Sequence, residues 1–209
     1  IQWIRFESPH PKDFTDELIE VIKEEKKIAR HLHIPMQSGS SRILSLMNRK
    51  YSREQFQLLI EKLRTAVSDI TFSTDVMVGF PSETEEEYQE TLSMLGMMRC
   101  LEAFMYYFNP REGTKAVDMD QQIVEEEKSR RLSALIEYQH GIIAEEKQKR
   151  LDRQAVVLVT QISKHDTSCM LGRTEHNEMV VFPSTAKIGT MLVVELQELA
   201  GNTYKGRVV

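Results

Sequence analysis

The stretch ITFSTDVMVGFPSETEEEYQETL (Ile70 to Leu92) decides the fold class of this chain. Its first part, Ile70 to Val78, is rich in Ile, Thr, Val and Phe, and this composition favours a β-strand. The strand pattern stops at Gly79-Phe80-Pro81, after which Thr84 and Glu87 have the spacing of a capping box that starts a helix. A strand, a short loop and a capped helix in this order predict one unit of a parallel β/α sheet.

The same alternation extends to both sides of this stretch. Strands are predicted at Ile1 to Ser8, Leu32 to Met36 and Ala103 to Phe108, and helices at Leu18 to Ile22, Ile43 to Met47, from Ser52 onward and over Glu125 to Arg150. This gives only about four units, whereas an eight-stranded (β/α) barrel needs about 200 to 250 residues. Because the chain also begins without Met on an apolar strand, we expect it to be the C-terminal part of a longer protein.

The last sixty residues have a different pattern. Short β segments are predicted at Ala155 to Ile162, Glu178 to Phe182, Met191 to Leu199 and Tyr204 to Val209, which together are typical of a small antiparallel barrel. Residues 150–209 hold 7 Lys plus Arg against 6 Asp plus Glu, a balance of +1, and residues 1–149 hold 20 against 26, a balance of -6. The C-terminal region is therefore the better candidate for contact with a polyanion.

Composition excludes several classes of protein. With 209 residues and a formal charge of -5, the chain is not a strongly basic protein that coats nucleic acid. Its two cysteines indicate a reducing compartment and are too few for a metal site built from three or four thiolates. No apolar run approaches about 20 residues and no signal peptide is evident, so we expect a cytoplasmic protein with no membrane partner.

Three polar loops follow the predicted strands, where a parallel β/α sheet carries its functional groups. They are Gln37 to Ser40, Gly79 to Thr84 and Asn109 to Thr114. Each is ordinary turn chemistry when taken alone, because Gly, Pro, Ser and Asn dominate turns. Their recurrence at one end of the sheet favours a binding site for the polar part of a cofactor.

Four motifs in this order resemble the radical S-adenosylmethionine (SAM) methylthiotransferases. They are HLHIPMQSGSSRILSLMNRKYSREQF (His31 to Phe56), STDVMVGFPSETEEEYQETL (Ser73 to Leu92), FNPREGTKAVDM (Phe108 to Met119) and GRTEHNEMVVF (Gly172 to Phe182). The motifs are most similar to the branch that adds a methylthio group to isopentenylated adenosine beside the tRNA anticodon. Two alternatives stay open: the sister branch that modifies a ribosomal protein, and an RNA-binding module that acts alone.

The resemblance implies an α/β fold in which residues 1–149 form about the last half of a radical-SAM (β/α) barrel. Residues 150–209 would form a small all-β TRAM barrel that binds RNA. The family uses SAM and two 4Fe-4S clusters held by six cysteines, and these would lie upstream of this chain. Neither Cys100 nor Cys169 matches a cluster ligand, so the chain is expected to contain no metal ligand and no catalytic residue, and to be inactive alone.

The resemblance also implies which residues bind SAM. Gln37 and Ser38 would form the polar wall of the pocket, and Arg49 would pair with a carboxylate or, alternatively, form a surface ion pair. Backbone contacts along adenine are expected from Val78, Gly79 and Phe80, and the floor of the pocket from Phe108 and Asn109. Relatives commonly have Gly where this chain has Ser82, and a Ser fits that loop only if its φ is negative.

The C-terminal barrel would hold the anticodon stem-loop of tRNA. Its candidate RNA-binding residues combine cations for phosphate with short polar groups for base edges and 2'-hydroxyls. They are Lys164, His165, Arg173, Thr174, Asn177, Lys205 and Arg207.

Overall fold

The computed structural model describes all 209 residues, which group into two compact units. The α/β unit consists of Phe6–Lys26 and Leu32–Ile143. The barrel unit consists of Ala144–Val209 together with Ile1–Arg5 and Lys27–His31.

The first four strands form one sheet in the order β1-β2-β3-β4. They are β1 (Ile4–Phe6), β2 (Ile28–His33), β3 (Thr71–Val78) and β4 (Glu102–Tyr107). The pair β3 and β4 is parallel, with a register that runs from Ser73 opposite Glu102 to Val78 opposite Tyr107. The predicted β/α architecture is confirmed, although β1 is shorter than predicted and β2 begins earlier in the chain.

Five helices alternate with or follow these strands: α1 (Asp16–Glu24), α2 (Ser41–Leu46), α3 (Arg53–Ala66), α4 (Glu85–Met98) and α5 (Glu125–Gln148). Both predicted capping boxes are present, at Ser52 with Gln55 and at Thr84 with Glu87. Each box satisfies free N–H groups at a helix start, which fixes where the preceding loop must end. The sequence therefore predicts these two helix starts correctly.

The remaining strands close into a barrel in the order β5-β6-β7-β9-β8. They are β5 (Gln154–Ile162), β6 (Cys169–Thr174), β7 (Met179–Pro183), β8 (Met191–Ala200) and β9 (Thr203–Val208). The small barrel is confirmed, with two corrections. Strand β6 was not predicted, and the barrel is not wholly antiparallel because β7 and β9 pair in parallel.

Both units are packed around apolar side chains. The barrel core includes Val157, Val180, Phe182, Val194 and Tyr204, all with no measurable exposure. In the α/β unit Cys100 is fully buried, and burial raises the pKa of its thiol, as is typical of a cysteine that packs as a small apolar side chain. None of the helices combines the length and the apolar character that crossing a bilayer requires.

Candidate functional site

A pocket of about 710 Å³ opens at the carboxyl ends of β3 and β4 in the α/β unit. It brings together five of the eight residues predicted to bind the cofactor, namely Gln37, Arg49, Phe80, Phe108 and Asn109. The other lining residues are Leu46, Met47, Asn48, Met77, Tyr106, Tyr107, Arg111, Thr114, Lys115 and Ala116. Segments far apart in sequence therefore meet at the edge of the sheet where parallel β/α folds place their ligands.

Gln37 is held at this edge by its own backbone. Its N–H donates to the carbonyl of Asp75 at 2.8 Å, and its carbonyl accepts from the N–H of Met77 at 2.8 Å. The residue has a φ of 66°, in the left-handed region that is uncommon for residues other than Gly. These two bonds hold the strained residue beside β3, where its side chain lines the pocket.

One wall of the pocket is aromatic. The rings of Phe80 and Phe108 pack edge to face with centroids 5.1 Å apart, and both side chains cluster with the buried Ile43. The Nζ atom of Lys128 lies 5.6 Å from the centroid of the Phe108 ring, a cation–π distance. Lys128 is buried, and its one ion pair is with the exposed Glu125 at 3.7 Å.

The pocket is cationic. Its lining includes Arg49, Arg111 and Lys115 and contains no Asp or Glu. The guanidinium of Arg49 makes no hydrogen bond and no ion pair within the structure, so the alternative of a surface ion pair is not what the structure shows. An unpaired guanidinium beside an aromatic wall can bind a carboxylate or a phosphate through its planar set of donors.

Three of the residues predicted to bind the cofactor are not in the pocket lining. Ser38 is buried with its hydroxyl 3.5 Å from that of Thr91 in α4, and it accepts a hydrogen bond from the N–H of Ser40. The carbonyl of Val78 accepts from the N–H of Phe108 at 2.8 Å. These polar groups are bonded within the protein, so their place is in the scaffold behind the pocket.

Gly79 is the third of these residues, and it belongs to a buried network that the sequence did not reveal. Its N–H donates to Glu83 Oε2 at 2.7 Å, and the same carboxylate oxygen accepts from Arg131 Nη1 at 2.8 Å. Gly79 has a φ of 70°, and a Cβ here would lie 2.6 Å from Cγ of Lys128. The side chain of Glu83 and the backbone of Gly79 therefore both pack against α5.

The backbone conformation of Ser82 differs from the one that the sequence implied for a Ser in this loop. Its φ is 65°, so the loop keeps the conformation that favours Gly even though a Ser occupies it. Arg42 holds the residue in place, donating from Nη1 to the Ser82 hydroxyl at 3.0 Å and from Nη2 to its carbonyl at 2.7 Å. The expectation that a Ser fits this loop only with a negative φ was wrong, because hydrogen bonds from Arg42 of α2 stabilise the left-handed backbone.

Arg42 also connects this loop to the start of α4. It donates to both carboxylate oxygens of Glu87, which in addition accepts from the hydroxyl of Ser40 and the N–H of Thr84. Burial alone raises the pKa of Glu87, but the bonds from Arg42, Thr84 and Ser40 outweigh it and lower that pKa to about 2. The carboxylate therefore stays charged and joins two of the predicted cofactor loops.

The barrel unit has a cavity of its own, of about 670 Å³. Three of the predicted RNA-binding residues, Lys164, His165 and Lys205, line it together with the apolar side chains of Met179 and Phe182. Lys205 also pairs with Glu198 at 2.9 Å, an exposed pair that contributes little stability.

The other predicted RNA-binding residues lie elsewhere on the barrel. Arg173 and Thr174 end β6, and Asn177 lies in the turn that follows; Arg173 Nη1 donates to the carbonyl of Asn177 at 2.8 Å. The Thr174 hydroxyl is buried and accepts from the N–H of Glu178. Arg207 is exposed on β9 and pairs with a glutamate of β8 at 3.1 Å. The predicted set is thus divided between a cavity, a turn and a strand face.

Comparison with known proteins gives a consistent result. Residues 1–95 match the model of the radical SAM superfamily. The chain is 41% identical over 208 residues to the tRNA-2-methylthio-N(6)-dimethylallyladenosine synthase of Treponema denticola, which covers 98% of this chain and 46% of that protein. The synthase of the same name from Methylacidiphilum infernorum is 40% identical over 207 residues, covering 99% and 44%.

A solved structure supports the fold. The radical SAM enzyme coproporphyrinogen III oxidase from Escherichia coli superposes with a TM-score of 0.54 at 12% identity, over 80% of this chain and 45% of that chain. The chain spans a little less than half the length of the curated relatives it matches. The first 95 residues are thus similar to the radical SAM superfamily, and nearly the whole chain is similar to part of the tRNA-2-methylthio-N(6)-dimethylallyladenosine synthases.

Proposed function

We propose that this chain is the part of a tRNA methylthiotransferase that closes around SAM and holds the RNA substrate. The observation that carries the proposal is the cationic pocket in which Gln37, Arg49, Phe80, Phe108 and Asn109 converge. The names of the full-length relatives indicate the reaction, addition of a methylthio group to isopentenylated adenosine, here placed next to the anticodon. Residues 1–149 act as the barrel half and residues 150–209 as the TRAM domain.

The residues of the pocket fit SAM. Arg49 binds the carboxylate of its amino-acid tail, because the guanidinium is otherwise unpaired. The edge-to-face pair of Phe80 and Phe108 excludes water beside the adenine of SAM. The side-chain amides of Gln37 and Asn109 orient the polar edges of SAM. The chemistry supplied by bound SAM is that of a carbon radical.

The residues of this chain do not fit an iron–sulfur cluster. Cys100 is buried in the α/β unit, and Cys169 of the barrel donates to Asp166 at 3.4 Å. Clusters of this kind require several thiolates around one centre. We therefore assign both 4Fe-4S clusters of the active enzyme to protein outside these 209 residues, and we expect this chain alone to be inactive.

The barrel unit is proposed to hold the anticodon stem-loop. Lys164, His165 and Lys205 surround a partly apolar cavity that suits a phosphate and an unstacked base, which is how proteins read single-stranded RNA. The compartment we propose is the cytoplasm, because the chain has only two cysteines and its relatives are named for modifying tRNA.

Binding of SAM is tested by NMR on the 209-residue chain with labelled methionine methyl groups. Met47 and Met77 line the pocket, so their signals should shift as SAM is added, while that of Met170 in the barrel core should not. Arg49→Gln should weaken the apparent affinity about 10- to 100-fold, the usual value of a hydrogen bond to a charged group. Lys26→Gln, an exposed lysine elsewhere, is the matched control. Unchanged Met47 and Met77 signals would contradict the proposed site.

Two further measurements test which parts of the proposed function this chain performs, namely cluster binding and RNA binding. After anaerobic reconstitution the chain should contain no four-iron cluster, and finding one would refute the assignment of the clusters to other residues. An anticodon stem-loop should bind at low salt. Binding of RNA without any response to SAM would favour the alternative of a separate RNA-binding module. Selective binding of a ribosomal protein would favour the sister branch of the family.

A further inference from the structure

A second opening of the α/β unit, which we call the lysine groove, has no role in the function proposed above. It has a volume of about 340 Å³ and is rimmed by Lys12, Lys50 and Lys62. Its remaining lining is mostly apolar or aromatic: Pro11, Phe14, Tyr51, Gln55, Phe56, Leu58 and Leu59. Leu58 is 53% exposed, a large apolar side chain left in contact with solvent.

The charge of the groove is opposite to that of its surroundings. Its lining contains three lysines and no Asp or Glu, although residues 1–149 together carry more acidic than basic side chains. Lys12 has no side-chain partner, and Lys50 donates only to the neutral amide of Asn48 at 2.6 Å. Lys62 pairs with Asp16 at 3.0 Å, but both side chains are exposed and the pair is readily exchanged. The rim is therefore available to an anion.

The lysine groove and the SAM pocket are lined in part by consecutive residues of the chain. Arg49 lines the pocket, and Lys50, the next residue, lines the groove. His10 lies beside the groove, where its ring contacts that of Tyr51 edge to face at 5.4 Å. Burial lowers the pKa of His10, and the charges of Lys12 and Arg49 lower it further while that of Asp13 opposes them.

We infer that the lysine groove binds the phosphate backbone of a single-stranded RNA segment and leads it to the pocket that contains Arg49. The inference rests on the proposed function, because it takes tRNA as the substrate. Three cations around an apolar floor suit a flexible strand that offers phosphates and unstacked bases. An acidic peptide shares the negative charge, but it would not use the apolar floor for unstacked bases or the neighbouring Arg49 pocket, which suits a nucleoside.

The test neutralises the rim in the 209-residue chain with the triple variant K12Q/K50Q/K62Q. The matched control is K23Q/K26Q/K27Q, which removes the same charge from exposed lysines outside both openings. Binding of an anticodon stem-loop is measured by fluorescence anisotropy between 50 and 200 mM salt, and circular dichroism checks that both variants fold. A third variant, K164Q/K205Q, reports on the barrel cavity.

Each phosphate contact to single-stranded nucleic acid contributes about 0.7 to the slope of log affinity against log salt. The groove variant should therefore flatten that slope by about 2 and weaken binding at 50 mM salt by about tenfold or more. An unchanged slope, with binding still weakened by K164Q/K205Q, would overturn the inference and leave the proposed function intact. Failure of every variant and of the unmodified chain to bind RNA would refute the proposed function itself. If the groove variant loses binding to a polyglutamate peptide but keeps its binding to RNA, the occupant of the groove is an acidic protein segment and the inference is wrong.

Discussion

Replacement of Arg131 by Met should destabilise the α/β unit strongly. Arg131 is 5% exposed, and its guanidinium donates to Glu83 Oε2 at 2.8 Å, to the Glu83 carbonyl at 3.0 Å and to Glu127 Oε1 at 2.7 Å. Removing one partner of a buried ion pair leaves the other charge uncompensated, at a cost of about 3 to 5 kcal/mol. For a chain of this size that corresponds to a fall in Tm of about 6 to 20 °C.

The stability lost in Arg131→Met should depend on pH. Burial raises the pKa of Glu83, and the Gly79 N–H and Arg131 oppose that rise. Without Arg131 the pKa in the folded state rises further above its value in the unfolded chain. Stability is then fully present at low pH and is lost as pH rises through the raised pKa, so Arg131→Met should cost more at pH 8 than at pH 5.

Urea unfolding followed by far-ultraviolet circular dichroism measures both effects. The double variant E83Q/R131M buries a neutral amide in place of a carboxylate and should be more stable than R131M alone. A loss below about 1 kcal/mol for R131M, or the same loss at pH 5 and pH 8, would show that the pair does not hold the loop as described.

Three other substitutions have clear expected outcomes. Gly39→Ala should lower Tm or prevent folding, because its Cβ would lie 2.5 Å from the backbone Cα of Thr91; thermal unfolding checks this. Gly141→Ala, in α5 with no atom within 4 Å of the new Cβ, should stabilise the chain by about 1 kcal/mol in the same assay, and a loss would contradict the open space found there. Tyr204→Phe removes the hydroxyl that donates to Glu178 Oε1 at 3.0 Å in the barrel and should cost about 1 to 3 kcal/mol in urea unfolding; an unchanged midpoint would show that the bond contributes nothing.

Sequence patterns predicted the features that depend on nearby residues. The capping boxes at Ser52 and Thr84 are bonds between residues three apart, and both were found. Strand β6 was missed because Gly172 interrupts its apolar pattern. That Gly is explained only by the closed barrel, where a Cβ would lie 2.4 Å from Cγ1 of Val157 on the neighbouring strand. Contacts of this kind link residues distant in sequence and leave no local signal.

In the candidate site, too, features set by nearby residues were predicted and features set by distant residues were not. Loop positions were predicted from turn chemistry, but which of their groups line the pocket depends on packing. The buried Glu83 pair was missed because its partner, Arg131, lies in a helix 48 residues later. The acidic start of α4 gave no sign of Glu87's several partners, since negative charge at a helix start already has a local explanation.

Glu87 has a consequence for how such a site can change over generations. This one carboxylate accepts hydrogen bonds from Ser40 and Arg42 in one stretch of the chain and from Thr84 in another. A substitution at residue 87 would loosen both stretches at once, so neither loop can change its conformation independently of the other. Changes in ligand specificity should therefore arise at pocket side chains that make no hydrogen bonds within the protein, such as Arg49, while Glu87 and its partners stay the same.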